Sequence, residues 1–111
     1  EKIQGVDADV LLKDKDKITV GDIEIETIHT PGHTPGCVCF LIKKEKTLFS
    51  GDTLFQGSFG RVDFEYSNPK DMIISLKKLS KLDKDIKVYP GHGSITTIGD
   101  ESWMENAENF I

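Results

Sequence analysis

The chain contains no apolar run approaching the ~18 residues of a membrane-spanning helix, so a helical membrane protein is excluded and no membrane partner is expected. It also lacks a gathered basic surface. Net charge is −5, and the lysines are interleaved with acids, which disfavours nucleic acid as a partner. Cysteine is scarce: Cys37 and Cys39 are the only two, too close along one strand to bridge comfortably. Without a disulfide framework the chain suits a reducing cytoplasm. The opening residues Glu1-Lys2-Ile3-Gln4 lack the basic-then-apolar order of a signal peptide. An initiating Met is missing too, and the expectation is a chain that begins inside a longer protein. No internal repeat or low-complexity segment is visible.

What is present fits one globular domain. Of 111 residues, 37% are hydrophobic and 30% charged, enough for a core under an ordinary solvated surface. Val10-Leu11-Leu12 and Ile18-Thr19-Val20 read as short strands around the charged turn 13–17. Gly21-Asp22 is a two-residue hairpin signal leading into the alternating strand 23–28. Residues 37–42 form a continuous apolar strand, a pattern that implies burial on both faces. Lys43-Lys44-Glu45-Lys46 then turns the chain into the strand 47–50. Residues 54–68 read as a long irregular connection. Asn68 is a helix cap with Pro69 in the first position and Asp71 in the first turn. Met72, Ile73, Leu76, Leu79 and Leu82 follow at helical spacing, with Lys70, Lys77, Lys78 and Lys81 outside. Residues 86–89 form the last expected strand. Ser102 and Glu105 make a capping-box pattern for a closing helix that buries Trp103, Met104, Ala107 and Phe110. The expected class is a mixed α and β fold, mostly strands with two helices, and those are too few to cover both faces of a sheet.

Chemistry concentrates where strands end. His33, Asp52 and His92 stand in Thr30-Pro31-Gly32-His33-Thr34, Phe49-Ser50-Gly51-Asp52-Thr53 and Tyr89-Pro90-Gly91-His92-Gly93. Strands that run the same way in one sheet deliver such exits to one edge. Two imidazoles and a carboxylate there form a metal-ligand set, with glycines that let the backbone turn and aim them. The same residue types suit zinc hydrolysis and the two-His-one-carboxylate set of iron oxygenases, so both remain open at this point. His29 is separated from His33 by Pro31 and Gly32, so no helix presents both; it reads as a structural residue that supports the loop. Cys37 and Cys39 read as small buried hydrophobes rather than soft-metal ligands.

Four ordered motifs carry a resemblance: 30–36 (Thr-Pro-Gly-His-Thr-Pro-Gly), 50–55 (Ser-Gly-Asp-Thr-Leu-Phe), 60–63 (Gly-Arg-Val-Asp) and 89–93 (Tyr-Pro-Gly-His-Gly). Together with the tail from Thr96-Thr97-Ile98-Gly99-Asp100-Glu101 to Asn109-Phe110, they resemble the short, glyoxalase II-like hydrolases of the metallo-β-lactamase superfamily. The resemblance runs from about Val10 onward. It implies an αβ/βα sandwich of two similar halves with a dinuclear metal site at one edge. His33 would then bind one metal and His92 the other, with Asp52 bridging them as the catalytic carboxylate. Two Zn²⁺ are implied, Fe or Mn being alternatives, and a metal-bound hydroxide would attack a small thioester or other acyl substrate. Arg61 and Asp63 match a segment near the site, as either a loop-fixing ion pair or a substrate contact.

The family's leading motif, H-x-H-x-D-H, is absent, all three histidines lying elsewhere. The chain is therefore expected to be the C-terminal portion of such a domain, residues 1–111 following a missing N-terminal half. That half, or a second copy as a homodimer, is the expected partner. Two other functions stay open: an iron persulfide dioxygenase-like oxidoreductase, whose similar segment Gly36-Cys37 echoes, and a non-enzymatic, self-associating half-domain.

Overall fold

A computed structural model describes residues 15–111. The strand expected at Val10-Leu11-Leu12 lies outside the described residues. In chain order the elements are β1 (Lys17–Val20), β2 (Ile23–His29), β3 (Val38–Ile42), β4 (Thr47–Gly51), β5 (Leu54–Phe55), β6 (Ser58–Phe59), α1 (Pro69–Ser80), β7 (Lys87–Pro90) and β8 (Thr96–Thr97). A six-stranded sheet has the order β1-β2-β3-β4-β7-β8, while β5 and β6 form a separate small hairpin. Strands β1 to β4 are an antiparallel meander, and Val20 faces Ile23 across the expected Gly21-Asp22 turn. β7 then lies parallel to β4, after a crossover that contains α1. Because β3 runs against both neighbours, β2, β4 and β7 all point the same way. No helix among the described residues is long and apolar enough to cross a membrane.

The expected helix forms as its caps dictate. The Asn68 side chain accepts from the Asp71 amide at 3.1 Å, and Pro69 needs no partner for a missing N–H. Met72, Leu76 and Leu79 are fully buried and share one core with Ile28, Cys39, Leu41, Leu48 and Val88 of the sheet. Each such apolar side chain contributes about 1.5–3 kcal/mol by leaving water. Leu82 packs against this core only in part.

Three expectations need correction. Strand β3 is not buried on both faces: Cys39 and Leu41 are covered, whereas Val38, Phe40 and Ile42 are half-exposed and the neighbouring Phe49 is 44% exposed. Only the face toward α1 is sealed among the described residues. The connection 54–68 is not wholly irregular, since it holds the β5–β6 hairpin, and a further strand, β8, follows β7. Both were hidden because two-residue strands carry no readable alternation. Finally, the closing helix begins at Gly99 rather than at a Ser102 cap and is a 3₁₀ segment running to Asn109, interrupted at Glu101 and Asn106. Its buried residues are Glu101, Met104 and Ala107, three apart, which is the 3₁₀ repeat rather than the α repeat. Phe110 lies past the end of that segment and the interruption at Asn106, is 57% exposed, and meets the half-buried Trp103 edge-on.

Gly32 is where the loop after β2 presses on α1. It has φ of +150°, and a Cβ there would lie 2.6 Å from the Met72 Cα. Neither the conformation nor the contact allows a side chain. Gly32→Ala is expected to cost about 2 kcal/mol or more. Urea unfolding should show a lowered midpoint at unchanged slope; an unaltered midpoint would contradict the close packing.

Candidate metal centre

The three equally directed strands, β2, β4 and β7, end at one edge, and His33, Asp52 and His92 follow them there. The His33 loop is held by α1 and the residues before it. Ser75 Oγ donates to the Pro31 carbonyl at 2.7 Å, the Asn68 amide to the Gly32 carbonyl at 2.8 Å, and Ser67 Oγ to the His33 carbonyl at 2.8 Å. The Asp52 loop turns through Gly51 at φ +53°, a left-handed conformation suited to glycine. It meets the His92 loop through a Gly91 amide donating to the Gly51 carbonyl at 2.8 Å.

Asp52 stands between the imidazoles with one oxygen toward each: Oδ2 is 3.8 Å from His33 Nε2, and Oδ1 is 3.5 Å from His92 Nε2. These gaps are too long for good hydrogen bonds. They are distances that a shared ion with bonds of about 2.0–2.2 Å to each atom can bridge. His33 Nδ1 lies 2.7 Å from the Arg61 carbonyl oxygen. A carbonyl only accepts, so Nδ1 carries the proton and Nε2 keeps its lone pair toward Asp52. The donor chemistry and the fixed tautomer thus fit a metal. One feature of the simplest expectation does not hold: no three His, Cys, Asp or Glu side chains among the described residues form a group that could hold one ion. The trio is two donor pairs sharing a carboxylate rather than a mononuclear triad.

A cleft of about 290 Å³ opens over these residues, lined also by Phe55, Gly60, Arg61, Phe64 and Tyr66. Phe64 meets His33 edge-on at 5.9 Å, stacks on Tyr66 at 5.3 Å and carries the Arg61 guanidinium 4.5 Å from its centroid. Arg61 and Asp63 form a two-pronged pair at 3.0 and 2.9 Å, which holds the Asp63 carboxyl below and the Arg61 guanidinium above their ordinary values. Both are exposed, so the pair fixes the loop more than it stabilises the fold. His29 does not line the cleft; its Nε2–H donates to the Pro35 carbonyl at 2.9 Å and steadies the same loop. The Arg61 carbonyl has no sequence signal, being backbone. The aromatic wall does have one, in the Phe and Tyr of residues 55–66.

Below the site, Thr30 and Thr53 hydroxyls pair at 2.9 Å, joining the His33 and Asp52 loops. Cys39 lies beneath Thr30 at 3.5 Å and is fully buried, in agreement with its reading as a small hydrophobe. Cys37 is half-buried, outside β3, with Thr34 Oγ1 at 3.0 Å.

Fold and edge together define a mixed α/β protein whose equally directed strand ends present imidazole and carboxylate donors. The chain belongs to the metallo-β-lactamase superfamily, whose family pattern matches residues 3–92. It is 48% identical over 77 residues to the hydroxyacylglutathione hydrolase GloC of Haemophilus influenzae, covering 68% of this chain and 36% of that protein. It is 36% identical over 111 residues to a hydroxyacylglutathione hydrolase of Francisella tularensis subsp. novicida, covering 93% and 44%. Among solved structures, the B3 metallo-β-lactamase BLEG-1 superposes with a TM-score of 0.78 at 40% identity, covering 88% of this chain and 46% of that one. TTHA1623, in a di-iron-bound form, gives 0.69 at 45% identity, covering 70% and 39%. The chain thus spans less than half the length of each of these relatives.

Burial pushes the Cys39 thiol up from 9.0 to about 11. The folded state therefore keeps this proton after the unfolded chain has released it. The associated stability is fully present below pH 9 and is lost as pH rises from about 9 to about 11, on the order of 2 kcal/mol in all. Unfolding curves across that range should fall more steeply for the wild type than for Cys39→Ala, in which other alkaline titrations are retained. Equal slopes would show that the thiol contributes nothing.

Proposed function

We propose that the protein works within a metal-dependent hydrolase of the glyoxalase II-like type, acting on a small thioester or other acyl substrate in the cytoplasm. The observation that carries this reading is Asp52 facing two imidazoles with its two oxygens, one imidazole being locked in the tautomer a metal requires. The relatives named hydroxyacylglutathione hydrolase support an acyl substrate.

In this reading His33 would hold one ion and His92 a second, with Asp52 the catalytic carboxylate shared by the site. A divalent metal bound there would supply activated water at neutral pH and Lewis acidity toward the acyl oxygen. The Arg61 carbonyl keeps His33 aimed, while Phe55, Phe64 and Tyr66 give the acyl group an apolar wall. Arg61 itself, steadied by Asp63, lies at the rim within reach of a bound substrate. Zn²⁺ is the metal we favour. The di-iron form of TTHA1623 supports iron as an alternative metal, and manganese is a further candidate; a second reading is that the same residues hold iron for an oxygen-consuming oxidation.

Two imidazoles and one carboxylate are too few to hold two ions. We take residues 1–111 as the C-terminal portion of the catalytic domain, with the remaining ligands supplied by a preceding segment or a second copy. The half-exposed row Val38, Phe40, Ile42 and Phe49 is the surface such a partner would cover. It equally suits a non-enzymatic half-domain that self-associates.

Replacing His33 or His92 by Ala in the full-length protein should remove one equivalent of metal. Thioester hydrolysis should fall by more than the ~10–100-fold typical of residues behind the ligands. Elemental analysis of the purified protein, with thioesterase and oxygen-uptake assays, separates zinc hydrolysis from iron oxidation. Undiminished metal content in a double His33→Ala/His92→Ala variant would end the proposal. The 111-residue chain assayed alone should show negligible thioester turnover, and wild-type rates from it would refute the claim that ligands are missing.

A further inference from the structure

The two candidate ligand histidines are held very differently. His33 is 18% exposed at its side chain and pinned by the Arg61 carbonyl, whereas the His92 side chain is 79% exposed. Besides Asp52, the His92 ring meets Phe55, with centroids 5.7 Å apart. Phe55 lies in the β5–β6 hairpin, whose strands are two residues each, too short to be stable unaided. Something must hold that hairpin.

Its base is anchored by the buried Leu54, whose carbonyl accepts from Ser50 Oγ at 2.7 Å; the group that holds its turn is Glu101. It is 2% exposed, and three neutral donors from three segments converge on it. Its Oε1 accepts from the Gly57 amide at 2.8 Å, in the hairpin turn, and from Trp103 Nε1 at 2.7 Å. Its Oε2 accepts from Thr96 Oγ1 at 2.6 Å. Thr96 opens β8, where the exposed loop 93–95 that follows His92 ends. Phe59, at the other side of the hairpin, packs on Trp103 at 6.1 Å. Glu101 therefore grips both the hairpin that carries Phe55 and the far end of the loop that carries His92. A buried carboxylate is costly unless its acceptor sites are filled, and here they are filled by the segments that flank one imidazole.

We propose that Glu101 is a positioning residue for His92, acting through the Gly57 turn and Phe55 on one side and Thr96 on the other. That His92 is a metal ligand rests on the function proposed above; that Glu101 fixes its ring does not. The test begins on metal-free protein labelled at histidine. Phe55 should displace the His92 ring signals in the NMR spectrum by its ring current. Glu101→Ala should abolish that displacement and leave the His33 signals, set by the Arg61 carbonyl, in place. Glu101→Gln should restore the wild-type signals. Its amide oxygen still accepts from Gly57 and Trp103, and its NH₂ donates to the Thr96 hydroxyl. Phe55→Leu should reproduce the Glu101→Ala change and add little when the two are combined. If Glu101→Ala does not fold, Thr96→Val removes one of the three contacts and should give the same selective change, smaller in size.

His92 signals that stay put in folded Glu101→Ala, or in Thr96→Val in its stead, would overturn the proposal. So would His33 and His92 moving together, which marks general loosening. Zn²⁺ titration of the full-length protein then follows: Glu101→Ala should weaken binding by about 10–100-fold, as loss of an outer support does. A full-length wild type that positions His92 through Glu101 yet binds no metal would leave this inference standing and sink the function proposed above.

Discussion

The parallel pairing of β4 with β7 is the constraint on which the rest of the site depends. It aligns Phe49 with Tyr89 and Gly51 with Pro90, so the chain leaves both strands at the same level, and Gly91 bonds directly to Gly51. Asp52 and His92 become neighbours as a consequence. A parallel pair requires a crossover, and this one carries α1 across the sealed face of the sheet. The start of that helix and the residues before it then hold the loop bearing His33, through Ser67, Asn68 and Ser75. One topological requirement thus assembles all three donors: the crossover that permits the parallel pair also supplies the support for the third ligand.

The loops would still be free to slide were it not for the polar layer beneath them. Thr30 and Thr53 share a hydroxyl contact, the Thr53 amide donates to the Ser50 carbonyl, and Ser50 Oγ donates to the Leu54 carbonyl. All of these side chains are fully buried. Buried hydroxyls without partners would be penalised, so the Thr30–Thr53 pair favours a fixed spacing of the His33 and Asp52 loops, while the Ser50 bond fixes the Asp52 loop on itself. Removing water from this layer makes the separation between the two loops stiff.

Much of this was legible in the residues. The Gly-flanked exits of three strands, the Gly21-Asp22 hairpin and the Asn68-Pro69 helix start each depend on local chemistry that a sequence records directly. What escaped depended on length or on backbone. The β5–β6 hairpin and β8 have too few residues to show a period, and the closing segment breaks at Asn106 and ends at Asn109, so the three-residue spacing from Met104 and Ala107 does not carry Phe110 into the core. The continuous apolarity of β3 implied two covered faces, yet apolarity records what a face tolerates and not what lies against it. The Arg61 carbonyl that selects the His33 tautomer is a backbone atom, which no residue pattern can announce.

The same accounting limits what the site can do with its own donors. Around the cleft, Arg61 and Asp63 satisfy one another, and the His29 Nε2–H is engaged by the Pro35 carbonyl. The Thr30, Thr53 and Ser50 hydroxyls are turned to internal partners. Phe55, Phe64 and Tyr66 offer aromatic faces to the cleft. Of the residues lining the cleft, His33, Asp52 and His92 are the imidazole and carboxylate donors that face one another. Two ions sharing one carboxylate would each hold a single imidazole, and sites with three protein ligands per metal need more. Because the neighbouring groups are already committed, rotamer changes alone cannot complete the set. If two ions are held here, as proposed above, further donors would have to come from outside this set.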